Sequence, residues 1–377
     1  MSNTLRATAA SAIALVALAG AARPAAAQGT DKLSIHGYLT QGYAVSDSAL
    51  IERIPTQGTT DYRRVALLMR YATSDNDNFL LQIAHRRLGN SPSMQFEPVV
   101  KVDWAYFEHT FAKASTRLRV GKAPIPFGVY NETRYVGTQL PFYRAPYAVY
   151  HEGIYTSETI DGLTLTQPIF SGSPWAMEAS GYAGSFSYLD FITTRVSPTA
   201  YGYIGQRERA SSTLGGQLWL STPIDGLRIG GGGSRYTVQN AFFQPGNYSF
   251  DGWTGSVDGK FDRFLVRSEY RRMMAHKLMD YRAWYTQGGV ALTQRLSVNG
   301  QSERANYIVS AIPAVTAGYK VALVRDDAAG VNYAFTPSLM LKLEGHQTKD
   351  HNIETVLAAT AAPVQGKYFI SSLSLVF

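Results

Sequence analysis

Hydrophobic and polar positions alternate with a period of two in segment after segment of this chain, which puts successive side chains on opposite faces of extended backbone. In one such segment Phe264, Val266 and Tyr270 share a face, and Arg267, Glu269 and Arg271 share the other. Leu339, Leu341 and Leu343 oppose Lys342, Glu344 and His346 in the same way, and Leu296 and Val298 oppose Ser297, Asn299, Gln301 and Glu303. The pattern predicts sixteen strands, beginning near Leu33, Tyr62, Asn78, Val102, Thr116, Gly162, Trp175, Thr213, Leu227, Gly252, Phe264, Arg282, Leu296, Asp327, Leu339 and Tyr368, with the Asp327 segment the least regular. Short connections carry turn residues, at 73–77, 112–115, 168–174, 223–226, 260–263, 293–295 and 334–338. The intervening ones, such as 46–61, 121–161, 186–212 and 348–367, are long and polar. A sheet with one apolar face must close or be covered. Loops sorted by length into alternate connections predict an all-β, sixteen-stranded antiparallel barrel with both chain ends on the short-turn side; a sandwich has no reason to sort them.

The charges decide which face meets what. An Arg or Lys facing lipid at mid-bilayer costs roughly 2–4 kcal/mol, so Arg267, Arg271 and Lys342 belong inside, and a lumen that accepts several of them is expected to be wet. Cysteine is absent, which excludes disulfides, thiolate metal sites and a cysteine nucleophile. Hydrophobic residues make up 45% and charged residues 17%, with 24 Tyr, 17 Phe and 34 Gly, a mix suited to strands, aromatic girdles and turns.

Residues 1–27 have the layout of an export signal: Arg6, an apolar run from Ala7 to Leu18, and small residues at Ala25, Ala26 and Ala27. The run is too short to span a bilayer, and no later stretch reaches the roughly 18 consecutive apolar residues a transmembrane helix needs. The expected organisation is therefore a signal peptide (1–27) followed by a transmembrane barrel (28–377). Removing Arg6 and Arg23 from 35 basic residues leaves 33 against 28 acidic ones, a net charge of +5. That excess, without a basic helix, zinc pattern or RNA-binding signature, does not indicate a nucleic-acid partner.

The last ten residues, from Tyr368, end on an aromatic carboxyl terminus, with Phe369, Leu373, Leu375 and Phe377 on one face and Ser372 and Ser374 on the other. This resembles the final strand of bacterial outer-membrane barrels, whose assembly machinery reads the terminal aromatic. After the fifth strand the chain runs RVGKAPIPFGVYNETR into a segment rich in proline and tyrosine that is too long for a hairpin tip. Residues 122–160 are expected to fold inward as a constriction loop. With the later GVNYAFTPSLMLKLEGH hairpin, the segment resembles the phosphate-selective and related substrate-preferring porins over most of the mature chain. The resemblance implies an outer-membrane channel in contact with lipid and lipopolysaccharide, a homotrimer, passive diffusion without a cofactor, and no enzymatic step. It supplies no residue-by-residue match to a phosphate cluster.

Candidate pore-lining residues follow from alternation. Arg117 and Arg119, about 7 Å apart along one strand, are expected to face the lumen opposite Leu118 and Val120, with Lys122 extending the line. Arg64 and Arg70 on the second strand and Arg86 on the third would share that wall. An inward loop would bring Tyr130, Glu132, Arg134, Tyr143 and Arg144 toward them, setting opposed charges across a narrow gap. A basic constriction raises the local anion concentration. The same residues also fit solvated arginines in a wide barrel, and the tyrosines fit either anchors for the loop or a stacking track for sugar rings. Two other functions stay open: an outer-membrane hydrolase of the phospholipase kind, and a structural or adhesive barrel with a blocked lumen. His36, His85, His109 and His346 fall on predicted strands without a nucleophile motif, and the Gly230-to-Gly233 run lacks the Lys-Ser/Thr of a phosphate-binding loop.

Overall fold

A computed structural model describes residues 32–49, 51–91, 93–96, 99–151, 158–171, 174–195, 201–239, 246–275, 278–309, 319–350 and 364–377. The expected signal segment 1–27, and residues 351–363 of the last long connection, lie outside the described residues.

Sixteen strands run β1 (Leu33–Ser46), β2 (Thr59–Ala72), β3 (Asp77–Leu88), β4 (Lys101–Phe111), β5 (Thr116–Pro124), β6 (Thr159–Phe170), β7 (Ala176–Arg195), β8 (Tyr201–Ser221), β9 (Leu227–Val238), β10 (Tyr248–Phe261), β11 (Phe264–Ala275), β12 (Met279–Ala291), β13 (Leu296–Val309), β14 (Tyr319–Thr336), β15 (Leu339–Asp350) and β16 (Val364–Val376). Each pairs antiparallel with its chain neighbours, and β1 pairs with β16, so the sheet closes without an edge. The closing register runs from Tyr38 opposite Val376 to Ser46 opposite Tyr368. Gly37 N donates to Phe377 O at 2.9 Å, and Phe377 N returns a bond to Gly37 O at 3.0 Å. The Phe377 ring covers Gly37, where a β-carbon would sit 2.5 Å from Cζ. Glycine is what lets the aromatic terminus close the seam.

Outward positions are apolar around the barrel. Ile35, Leu67, Phe79, Leu163, Leu218, Ile229, Trp253, Val266, Val331, Leu343 and Phe369 are exposed, while their sequence neighbours turn inward. A belt of this extent far exceeds the apolar patches water-soluble monomers carry. Only a closed barrel or a helix satisfies its backbone within lipid, and no helix among the described residues is long and apolar enough to cross a membrane.

Alternation located most strand starts closely and misplaced two. Residues 186–212 do not form a long polar loop: β7 and β8 continue as a paired ribbon from Phe186 opposite Ala210 to Arg195 opposite Tyr201. A bulge lies in β8 between Ser211 and Leu214, with Ser212 at φ 50°. One extra residue reverses the inside–outside alternation, so the regular pattern begins only at Thr213. A register shift opposite Ala305 and Asn306 likewise interrupts β14, which starts at Tyr319 rather than near Asp327.

Candidate functional site: a loop held on charged side chains

Between β5 and β6 the chain leaves the wall and packs among inward-facing side chains. Tyr130, Phe142, Tyr143 and Tyr150 are buried to 1% exposure or less. Pro146 opens a helical turn at Tyr147–Tyr150, and His151 ends it at φ 53°. Backbone this irregular has few internal hydrogen bonds, so its N–H and C=O groups need other partners.

The barrel supplies them with charged residues. Glu269 on β11 accepts from Val129 N at 3.0 Å, Glu303 on β13 from Ala148 N at 2.7 Å, and Glu344 on β15 from Tyr143 N at 2.7 Å. Arg64 Nη1 donates to Tyr143 O at 2.7 Å, Lys342 Nζ to Phe142 O at 2.9 Å, and Arg271 Nη1 to Val149 O at 2.7 Å. Asn332 Nδ2 donates to Pro141 O at 3.0 Å and Tyr281 Oη to Ala148 O at 2.5 Å. Carboxylates thus take the loop's amides and cations take its carbonyls. Bonds to charged groups contribute about 1.5–3 kcal/mol each.

On this wall the expectation of a wet lumen does not hold. Glu269, Glu303, Lys342 and Glu344 are buried; alternation turned them inward correctly, and the loop covers them. Burial and the neighbouring Glu269 push the Tyr150 hydroxyl well above its ordinary range. Burial likewise pushes the Tyr130 phenol up. His151 is held well below its usual value by burial, with Arg271 and Arg134 adding repulsion, so it stays neutral. Burial disfavours the Glu158 anion, but Arg134, Lys101, Arg86 and a hydrogen bond from Tyr135 outweigh it and hold the carboxyl below the usual range.

The residues picked from sequence separate into three settings. Arg64, Arg86 and Arg134 gather at the loop's ends: Arg64 and Arg86 face each other across β2 and β3 with the Tyr135 ring about 5 Å from both guanidiniums, and Arg134 and Arg86 lie 3.4 and 3.8 Å from Glu158. Tyr130 and Tyr143 belong to the buried loop: Arg267 donates to Tyr130 Oη at 2.9 Å, and Tyr143 bridges Glu344 and Arg64 through its backbone. Arg144 reaches Glu52 at 2.8 Å, so neither it nor Arg134 is brought to Arg117 and Arg119.

Arg119 pairs with Glu108 at 2.8 Å and with the loop's Glu132 at 3.1 Å. Arg117 lies 3.6 Å from Glu178 on β7, both side chains more than 40% exposed. Arg70 stands near the short-turn end and bonds Asn78 at 2.9 Å. Lys122 does not extend the arginine line. It shares the face of Leu118 and Val120, and its register partners Ala105 and Asp161 are exposed. The odd spacing from Arg119 fixes that, since alternation turns it outward.

Sequence reasoning missed Glu108, Glu158, Glu178, Arg228 and Asp258. Arg228 sits over the Trp219 ring at 4.2 Å and bonds Asp258 at 2.8 Å, and Asp258 in turn binds Arg267 at 2.7 Å. Glu108 was within reach of sequence, because pairing the fourth and fifth strands through their short turn places it opposite Arg119.

No protein-family model matches the chain, and no curated protein matches it in sequence. Solved structures do match. Salmonella typhi OmpF, in complex with daunomycin, superposes with a TM-score of 0.61 at 7% identity, over 92% of this chain and 97% of that one. The anion-selective porin from Comamonas acidovorans gives 0.55 at 10% identity, over 92% and 99%. OmpT of Vibrio cholerae, an outer-membrane protein solved in a trimer form, gives 0.54 at 10%, over 92% and 99%. The fold is that of the outer-membrane porins. Within this porin fold the long loop after β5 is bonded chiefly to β11 to β15, reaches Arg64 on β2 and touches Arg119 on β5 through Glu132.

Proposed function

We propose that the protein is a water-filled channel of the bacterial outer membrane through which small hydrophilic solutes diffuse passively, with a preference for anions. One observation carries the reading. The loop is bonded chiefly to β11 to β15, while the inward-facing Arg117, Glu178 and Arg228, near the short-turn ends of β5, β7 and β9, keep more than 40% of their side chains exposed. Charges that exposed require water. The loop narrows the passage, and the gradient drives the solute without a cofactor.

Anion preference is supported by the exposed Arg117 on the open wall, with Arg119 beside it, and by the buried guanidiniums of Arg64, Arg86 and Arg134, which act on a solute through their field rather than by contact. The anion-selective character of the Comamonas porin points the same way, and the trimer form of the Vibrio protein supports a homotrimer. Export through the residue 1–27 signal, recognition of Phe377 by the assembly machinery, and contact of the outer belt with lipid and lipopolysaccharide complete the proposal. Among the described residues the histidine bonds go to Asp77, to Arg63 and the Val99 carbonyl, and to Asp326 and Glu344, and none goes to a serine or threonine hydroxyl, which favours a channel over a serine hydrolase.

Reversal potential in planar bilayers under a KCl gradient tests the reading. A chloride-selective sign is expected. A cation-selective sign would defeat the anion preference and leave the channel standing, whereas a silent membrane would sink the channel.

A further inference from the structure

The inner wall of β7 to β11 carries a hollow that ion diffusion does not require. Gln217, Gly232, Thr254 and Arg271 stand side by side in one row of register on four adjacent strands. Tyr182, Gly215, Ser234 and Gly252 form the neighbouring row. Glycine at 215, 232 and 252 removes the side chains that would fill the middle. The Tyr182 ring reaches across Gly215, where a β-carbon would lie 2.2 Å from Cζ. Phe127, at the start of the loop, closes the hollow from the side.

Two buried polar atoms at this cleft have no hydrogen-bond partner among the described residues: Thr213 Oγ1 and Gln217 Nε2, in residues 2% and 5% exposed. Buried polar groups are nearly always paired, and an unpaired one destabilises the empty protein. Finding two on one cleft wall points to a ligand that pairs them. Arg271, the only charged residue lining the cleft among the described residues, already donates to Val149 O and lies over the Phe127 ring at 4.9 Å. The remaining chemistry is hydroxyl, amide and aromatic, and hydroxyls and amides both donate and accept.

We propose that this cleft binds a sugar ring, with Tyr182 and Phe127 against its apolar face and Thr213, Gln217, Ser234 and Thr254 bonded to its hydroxyls. A ring alternating donors and acceptors around a flat apolar face matches such a wall. A simple anion would demand more charge than one committed guanidinium. The inference rests on the channel reading only in that the solute must reach the lumen.

Maltose is the probe, titrated against ion current in planar bilayers and, separately, by calorimetry on detergent-purified protein. Saturable block and saturable heat are expected. Thr213→Val and Gln217→Leu should each weaken maltose binding about tenfold, while the melting temperature holds or rises because each removes an unpaired polar group. Variants that melt lower and bind maltose unchanged would make both residues structural and overturn the site. So would wild-type protein that shows no saturation. Block by benzoate without block by maltose would overturn the sugar assignment. If either variant fails to fold, Gly252→Ala, whose β-carbon would meet Ser234 Oγ at 3.0 Å as its nearest neighbour, crowds the same hollow and should weaken maltose binding; unchanged affinity would count against the site. Calorimetric binding with a silent membrane would support the site and sink the channel reading, and conductance without maltose binding would do the reverse.

Discussion

The two inner walls of this barrel begin from the same instruction and end in different chemistry. On β11 to β15 the inward charges are buried beneath the loop, and Glu269, Glu303, Lys342 and Glu344 each bond its backbone. On β5 to β10 the inward charges pair with one another rather than with the loop backbone, as the exposed Arg117 with Glu178 and the exposed Arg228 with the more buried Asp258. Alternation specifies only that a charge turns away from lipid. Whether it then meets water or protein depends on where thirty-odd residues of loop come to rest. A buried charge without that loop would be costly, so the loop-bearing wall is the more fragile of the two.

The sharpest way to break this comparison is to remove a charge from each wall. Glu269→Ala leaves Val129 N and the hydroxyls of Ser256, Tyr150 and Tyr285 without their shared acceptor. It should weaken the loop's attachment by at least about 3 kcal/mol, seen as a several-fold rise in single-channel conductance and faster proteolysis within residues 125–158. Unchanged conductance and proteolysis would show that the loop does not depend on its charged bed.

The double change Arg117→Ala with Arg119→Ala belongs to the open wall and should act mainly on selectivity. It leaves Glu108, Glu132 and Glu178 without their arginines, so the reversal potential should move toward cations, and because the Arg119–Glu108 pair is only 12% and 15% exposed its loss should also lower stability, by about 1–3 kcal/mol. A potential that does not move would remove these arginines from the selectivity argument.

Acid should loosen the loop-bearing wall through two groups acting in the same direction. His151 is held neutral below its ordinary value, so as pH falls under about 6.5 the released loop takes up a proton that the packed loop does not, and packing loses free energy. Glu158 is held below the carboxylate range, so its contribution is full at neutral pH and is lost as pH falls through its lowered value. Current noise and loop proteolysis should therefore rise between pH 7 and 5 through His151 and again below about pH 4.5 through Glu158, and His151→Gln should flatten the first part of that rise. A flat profile in the unaltered protein would place the pH response elsewhere.

The smallest effect is expected at Lys122. Because it faces outward beside Asp161, Lys122→Ala should leave the reversal potential in place and change stability by no more than about 0.5 kcal/mol. A selectivity shift as large as that of the arginine pair would return it to the lumen.

What the chain determined alone is what period-two alternation encodes: sixteen strands, their inside and outside faces, the closing pair of β1 with β16, and the long loop after β5. Those features are local, since each strand declares its faces through its own neighbours, and lipid penalises the wrong choice. Alternation failed where a bulge reversed its phase, before Thr213 and around Leu323, because backbone pairing continues after the side-chain rhythm breaks. It was misapplied at Lys122, whose outward direction the same rhythm already specified. The candidate site was less legible. That Arg64 would bind the Tyr143 carbonyl, that Arg144 would reach Glu52, and that Thr213 and Gln217 would share a hollow with their donors unspent depends on residues far apart in sequence. Only closure of the barrel and placement of the loop within it set those distances, and hydrogen bonds and ion pairs depend on distance in a way that alternation does not record.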